Sequence, residues 1–488
     1  MYPNKIKLTI LESQHSDYTR MLPALQEIDL LVSGGYKLKA AIKQFLLPRP
    51  GEELAVYEAR INKFTYLNIL SIAINEQASK LSNATLTING IEEETNSAFW
   101  SAFREDTNLA GRSEKNLIAL IFRELLKFKK LYLHVDKPYL NIDIQNKSQE
   151  EFLGIRPYVI HYSPFQVVNW SETKGKLDWV KVRQIVEDTS NPLAISQKKV
   201  IWTFIDDTYI ARYEAFVELD KYGNISTVAG EFVNDDTTIP LAGEVIEHKF
   251  GVIPILKLEL PDEMWIADQA AHKALEHLRI DCSKYDLLTF AYFQRFYKTI
   301  QKSDSALDES YVNEEPIPTG LQYTVELDKF EWSEPKGHII PFMMDSLSQI
   351  EDQVRDLVTL GGVSSSKGVI AQSGVSKEID FHKQEVILKA FGEFIVDAYQ
   401  DLLQLVAKSQ GIPFEKISVT GLNSFKIDTL DSLISKADSL AKLNLESLKN
   451  NLTPTSFESI YEQIINLFVG NLSAYQQEQI KREIKTKQ

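Results

Sequence analysis

Three groups of residues in this chain have types and spacings capable of chemistry. The first is the stretch LGGVSSSKGVIAQSG, Leu360 to Gly374, a Gly/Ser-rich loop with one lysine, Lys367. Loops of this composition cradle nucleotide phosphates when a glycine directly precedes the lysine and Ser or Thr follows it to hold Mg²⁺. Here Ser366 precedes Lys367 and Gly368 follows, and the element before the loop reads as a helix rather than a strand, so the pattern argues against a nucleotide site. A helix-to-helix connection with one solvated lysine is the plain alternative. The second group is Asp268, His272 and Glu276, four residues apart and so near one helix face, with His277 adjacent. Such a row can ligate a metal when other helices supply matching ligands; none is apparent, which favours the polar face of a packed helix. The third is His134 beside Asp136, together with His161 in RPYVIHYSP. Either histidine could act as a general base, but no nucleophile motif such as G-x-S-x-G accompanies them, so hydrogen-bonded strand or turn histidines are the simpler reading.

Composition narrows the field further. With 44% hydrophobic and 25% charged residues, the 488-residue chain is ordinary globular material, long enough for two or three packed units. Its 53 Lys+Arg against 68 Asp+Glu give a net charge of −15 without a basic arm, which disfavours tight wrapping of nucleic acid. A single cysteine, Cys282, excludes an internal disulfide and suits a reducing compartment, and no Cys/His spacing resembles a zinc site. The opening MYPNKIKLTILESQHSDY lacks a signal-peptide pattern, and no window of about 18 uninterrupted apolar residues occurs. A soluble protein that is not exported by a recognisable signal is expected.

The elements that would position these residues follow from apolar periodicity. From Leu22 to about Leu126 the spacing is helical, broken by Pro48, Pro50 and Gly51. Between Leu131 and Leu260 it changes to short β-rich runs such as KLYLHVD, RPYVIHY, DWVKVRQIV and KVIWTFID, separated by turn clusters such as DKYGN. These predict an antiparallel or mixed sheet beside the first helices. After Pro261 a helical period spans Asp262 to about Tyr297, which at 1.5 Å per residue would reach about 54 Å. Residues 299–342 read as short, loop-rich and β-like. A helix is predicted from about Asp345 to Leu360, with Leu347, Ile350, Val354 and Leu357 on one stripe and Ser348 to Glu351 spaced as a capping box. Beyond the Gly/Ser loop, Ser376 to Ser409 carries the stripe Ile387, Phe391, Phe394, Ala398, Leu402 and Leu405 or Val406, and GIP stops it. Residues 414–488 read as two or three amphipathic helices, one of them capped by Thr453 with Pro454 at its first position.

In this order the chain resembles the portal proteins of tailed double-stranded DNA bacteriophages. DLLVSGGYKLKAAIKQFLLPRPGEELAVYEARINKFTYLN is similar to that family's opening in Gly34, Gly35, Leu47, Pro48, Glu53, Tyr57, Arg60 and Asn68. DTNLAGRSEKNLIALIFRELLKFKKLYLHVDKP resembles the helix and VD-x-P strand that follow, and RPYVIHYSPFQVVNW the next strand pair, in Arg156, Pro157, Tyr158, Asn169 and Trp170. The resemblance covers most of residues 1–410, and the order of its motifs carries it.

It implies an α+β portal fold with a helical/β wing over 1–261, a two-helix stem from 262–298 and 343–360, and a small α/β clip over 299–342. A tunnel loop over 361–375, a long kinked helix over 376–409 and a helical crown over 410–488 complete it. The function implied is a non-enzymatic ring, usually of twelve copies, at one capsid vertex, through which DNA is packaged and later ejected. Its partners would be the terminase large subunit, the major capsid protein and scaffold, a head-completion or adaptor protein, and passing double-stranded DNA bound without sequence preference. No membrane and no cofactor are implied, and the location would be the virion, with assembly in the host cytoplasm. The DNA-facing candidates are Ser364, Ser365, Ser366, Lys367 and Gly368, with Lys377 at the next helix's start. The clip carries nine acids, Asp304, Asp308, Glu309, Glu314, Glu315, Glu326, Asp328, Glu331 and Glu334, against Lys302, Lys329 and Lys336, a net −6 per subunit. A ring would turn these into an acidic collar that faces the channel or docks a partner. The competing expectation is a cytosolic α+β enzyme with an unrecognised pocket in the β-rich region.

Overall fold

The computed structural model describes residues 2–82, 84, 86–91, 96–138, 149–150, 153–189, 195–220, 223–291, 339–358 and 374–422. Six helices open it: α1 Leu8–Leu11, α2 Ser16–Ser33, α3 Gly35–Ala41, α4 Leu54–Asn62, α5 Ile69–Ser82 and α6 Ser97–Glu105, followed by α7 Glu114–Phe128. The start of α2 lies ahead of the periodic signal because His15 caps it, Nδ1 accepting the Asp17 N–H at 3.1 Å. The N-cap of α7 is Ser113, whose Oγ accepts the Asn116 N–H. Leu117, Ile121, Leu125 and Phe128 then bury one stripe of α7, and Ile118, Phe122 and Leu126 a second, because other helices cover α7 on several sides.

The β-rich region divides into separate antiparallel sheets rather than forming one. Strand β3 Lys130–Asp136 leaves α7 directly and is buried along its whole length. It pairs with β4 Tyr158–Tyr162 and β13 Ile255–Glu259, giving the order β13-β3-β4. The strands β5 Val167–Thr173, β6 Lys176–Asp188, β7 Gln197–Ile205, β8 Tyr209–Leu219, β9 Ile225–Val228 and β10 Glu231–Phe232 form a meander, and β12 Ile246–Glu247 joins on β8. Alternation explains how both faces of the meander are covered. Val180, Val182, Ile205 and Ile210 pack on Tyr132 and Ile255 of the three-stranded sheet. From the other face Val200, Trp202, Ala211 and Tyr213 pack on Leu8 and Leu11 of the chain's own N-terminal segment.

That segment is clasped by polar contacts as well as apolar ones. β1 Lys5–Lys7 pairs with β11 Thr238–Pro240. Buried Lys181 donates to Ile10 O, Ser13 O and Ser13 Oγ at 2.6–2.9 Å, satisfying carbonyls at the end of α1. Glu12 accepts from Arg183 Nε at 2.9 Å and Trp202 Nε1 at 2.7 Å. A periodicity scan assigns no element to residues 5–15, since their fixing comes from long-range partners.

After a 3₁₀ turn at Asp262–Met264, α8 runs Ile266–Ala291. Ala267, Ala270, Ala271 and Ala274 give it a buried face of small residues, which lets neighbouring helices approach closely. α9 spans Ile339–Val358 and buries Leu347, Ile350, Val354 and Val358 in the same core. It begins six residues before the expected Asp345, so Ser348 and Glu351 lie in its interior and form no capping box. Pro341 is no obstacle to this earlier start: it sits in the first turn, where its missing N–H costs no intrahelical bond.

α10 is the 36-residue helix Gly374–Ser409. It ends as the GIP signal requires: Gly411 has φ +62°, its N–H reaches Lys408 O, and the Ile412 N–H reaches Ala407 O. This is a Schellman termination, with apolar Ile412 and Ala407 both buried. Residues 418–421, expected to be helical, are instead β14 Ser418–Gly421, paired with β2 Leu86–Asn89. Short apolar runs do not distinguish helix from strand, and here a partner more than 300 residues away decides.

Candidate functional site

The residues singled out by sequence reach the structure unequally. Ser364, Ser365, Ser366, Lys367 and Gly368, and the nine acids from Asp304 to Glu334, lie outside the described residues. Lys377 lies in the first turn of α10. What the structure defines is the helical frame from which both segments depart: α8 and α9 on either side of residues 292–338, then α9 and α10 on either side of 359–373.

Two contacts fix this frame. Between α8 and α9, buried His277 faces Glu351, Nε2 to Oε1 3.4 Å, and its Nδ1 has no hydrogen-bond partner among the described residues. Across α10, the Tyr399 hydroxyl donates to Glu114 Oε1 at 2.7 Å, and Glu114 Oε2 accepts from Arg104 Nε at 2.7 Å. Burial and then the Glu114 charge push the Tyr399 hydroxyl well above its usual range, so it stays a neutral donor. Farther along, Gln400 Oε1 holds the Val419 N–H at 3.1 Å, and at Gly392 the helix meets Leu422 so closely that a Cβ would lie 2.0 Å from its carbonyl oxygen.

The metal row is not assembled. His272 and Glu276 are exposed, Glu276 pairs with Lys273 at 2.8 Å, and His277 turns inward to α9. No group of three or more His, Cys, Asp or Glu arranged for a metal occurs among the described residues. His134 is fully buried, its Nδ1 3.4 Å from the Tyr162 hydroxyl, and burial lowers its pKa to about 4 despite nearby Asp136. Asp136 is occupied instead by the Tyr158 hydroxyl at 3.0 Å. His161 lies 3.3 Å from Arg112 Nη1 and is lowered by burial and by Arg112 and Arg123. Both histidines are thus held neutral within a packed sheet.

The residues that carried the family resemblance do converge. Gly34 has φ +57°, and a Cβ there would lie 2.9 Å from Asn68 Nδ2. Asn68 in turn donates to Val32 O at 2.7 Å and caps α5 by accepting the Ser71 N–H, while the Tyr66 hydroxyl takes Leu31 O at 2.6 Å. Gly34 and Asn68 therefore close the end of α2 against the start of α5.

In the 46–53 loop the Tyr57 hydroxyl holds Leu46 O and Arg60 Nη2 holds Leu47 O, each at 2.9 Å. The carboxylate that grips Arg60 is Glu52 rather than Glu53. It accepts from Nε at 2.8 Å and Nη2 at 2.7 Å, and also from the Arg49 N–H. Those bonds pull the Glu52 pKa down to about 2. A fork of this kind needs two adjacent guanidinium nitrogens, which explains why arginine stands at 60.

Asp106 was missed by sequence reasoning. Its Oδ1 collects the N–H groups of Ala110 and Gly111, and its Oδ2 pairs with Arg156 at 3.1 Å. The D-T-N-L-A-G run, with its turn-forming Asp, Asn and Gly, was the available signal. Trp170 stacks on His15 with centroids 4.1 Å apart, which ties β5 to the start of α2.

No helix among the described residues is long and apolar enough to cross a membrane. No protein-family model matches the chain, and no curated protein matches it. Solved structures similar to it include a chain of the virion of a native gene transfer agent particle. That chain is 10% identical at a TM-score of 0.39, over 89% of this chain and 98% of the other. A chain from the neck of an empty gene transfer agent particle, 10% identical at a TM-score of 0.39, covers 85% of this chain and 94% of its own. Likeness at that TM-score carries no functional weight, and an α+β architecture is what the coordinates themselves establish.

Proposed function

We propose that the chain is a portal-type subunit: a non-enzymatic ring protein of a tailed-phage particle that conducts double-stranded DNA. The observation that carries this reading is the order of elements. A helix-and-sheet body leads into α8, which packs with α9; 47 residues separate these two helices, and 15 more separate α9 from the 36-residue α10. In the resembling family these positions are wing, stem, clip, tunnel loop and crown-proximal helix. Gly34, Tyr57, Arg60 and Asn68 support it as well, since they secure one helical junction and one loop rather than lying scattered.

Charge is consistent with a conduit. Basic contacts to passing phosphates release slowly and depend on salt, so a net −15 chain with one lysine, Lys367, in the 360–374 stretch grips DNA weakly. Residues 304–334, rich in carboxylates, serve either as a collar or as a docking point for terminase and, later, a head-completion protein. The test is electron microscopy of the purified full chain under assembly conditions. Closed rings with a central hole are expected; uniform single-subunit particles at every protein and salt concentration would refute the proposal.

A further inference from the structure

We propose that a basic face on α7 docks against an acidic face on α10 of a neighbouring copy, forming the contact that repeats around the assembly; this rests on the ring reading above. On α7, Lys115, Ala119 and Arg123 stand at i, i+4 and i+8, with Lys115 and Arg123 exposed. Arg112 and His161 adjoin this face. Among the described residues neither Lys115 nor Arg112 has a carboxylate within 4 Å, and the nearest to Arg123 is its own neighbour Glu124 at 3.8 Å. Burial first, and then the charges of Arg112 and Arg123, drive His161 toward its neutral form, which places both arginines close to it on this face.

On α10, Glu393, Asp397 and Asp401 occupy the matching i, i+4 and i+8 positions. All three are exposed, and none has a cation within 4 Å among the described residues. Consecutive like charges about 6 Å apart along a helix repel. Burial and Asp397 together raise the pKa of Asp401. Each stripe spans about 12 Å at 1.5 Å per residue, so the two match in length as well as in sign.

Their placement in one chain makes the contact one between copies. α7 and α10 meet where Tyr399 donates to Glu114. At about 100° per residue, Glu393, Asp397 and Asp401 lie roughly 120–200° around α10 from Tyr399, and Lys115, Ala119 and Arg123 lie roughly 100–180° around α7 from Glu114. Both stripes therefore point away from the helix junction. Two different complementary patches turned away from each other within one subunit are what a heterologous contact needs, and repetition of that contact closes a ring.

The test is made in the full chain. Arg123→Glu and Asp397→Lys should each lower the ring fraction at least about tenfold at low salt, and the double variant should restore it; wild-type assembly should weaken as salt rises past about 0.1 M, where charges more than about 10 Å apart are screened. Circular dichroism of each variant establishes that it is folded. Folded single variants that assemble like wild type, or a folded double variant that fails to recover, would overturn the contact. In a Cys282→Ser background, Lys115→Cys with Asp397→Cys should give a chain-to-chain ladder on oxidation, whereas an intrachain product or none would overturn it. The ladder also reports on open oligomers: a ladder without closed rings would fault the ring reading and keep the contact, and rings without a ladder would do the reverse.

Discussion

Tyr399→Phe tests whether the α7–α10 junction depends on one hydroxyl. The ring is fully buried, and Phe refills its volume, so no cavity term enters. What disappears is a hydroxyl donating at 2.7 Å to a carboxylate. Hydrogen bonds to charged groups contribute about 1.5–3 kcal/mol. The variant leaves Glu114 with Arg104 still bonded and its side chain 13% exposed, so the carboxylate is not orphaned and the lower part of that range applies, about 1.5–2 kcal/mol. Hydrogen exchange of peptides covering Phe394 to Val406 should accelerate by about 10- to 30-fold, since each 1.4 kcal/mol is a factor of ten in the opening equilibrium. Glu114→Gln should reproduce much of the effect, and the double variant should show a coupling of about the same size as the single loss. An acceleration below about threefold, or two single effects that simply add, would refute the claim that this bond holds α10 to the body.

Two further perturbations follow from the same coordinates. His134 stays neutral in the fold down to about pH 4, whereas its unfolded form takes a proton near 6.5. Its contribution is therefore complete above about pH 6.5 and is lost as pH falls through 4, at most about 3 kcal/mol in all. His134→Phe should flatten the urea-measured stability over that interval, and an unchanged acid slope would exclude His134 as its source. Gly392→Ala gains about 1 kcal/mol of helix propensity but places a Cβ 2.0 Å from Leu422 O, a backbone atom that cannot swing aside. Overpacking costs about 1–3 kcal/mol, so a net loss of up to about 2 kcal/mol is expected, with faster exchange at Val419. A variant more stable than wild type with Val419 protected would contradict that close approach.

Legibility in the sequence followed the range of the forces involved. The stretches Glu114–Phe128, Ile266–Ala291 and Gly374–Ser409 announce themselves because their burial repeats along the chain with the helical period and their stops are local: Ser113 at one end of α7, Gly411 beyond α10. The α9 start lies earlier than its apolar stripe predicts, because Pro341 falls in the tolerant first turn and the helix continues ahead of the stripe. β14 and β1 were invisible for a different reason. Each is three or four residues long and exists because a distant strand, β2 or β11, supplies its hydrogen bonds. Division of the β region into separate sheets has the same origin. Alternation shows that a strand has two faces without saying which neighbour covers each, and the covering layer on the Trp202 side is the N-terminal segment itself.

The polar residues obey a stricter version of this rule. Glu52 and Glu53 are adjacent and chemically alike, and only the geometry of the 46–53 loop decides which one meets the Arg60 fork. Similarly, Asp268, His272 and Glu276 share one side of a helical wheel and His277 lies about 100° round from Glu276, yet only the passage of α9 on that side gives His277 its partner, Glu351. Spacing along one helix fixes which side chains share a face; chemistry at that face depends on what a second element brings. The Glu393–Asp397–Asp401 and Lys115–Arg123 stripes show the same dependence at the next level up. Each is visible as a run of like charge; among the described residues Lys115 and the acidic stripe have no opposite charge within 4 Å and Arg123 has only its neighbour Glu124, which is why the proposed contact completes them from another copy.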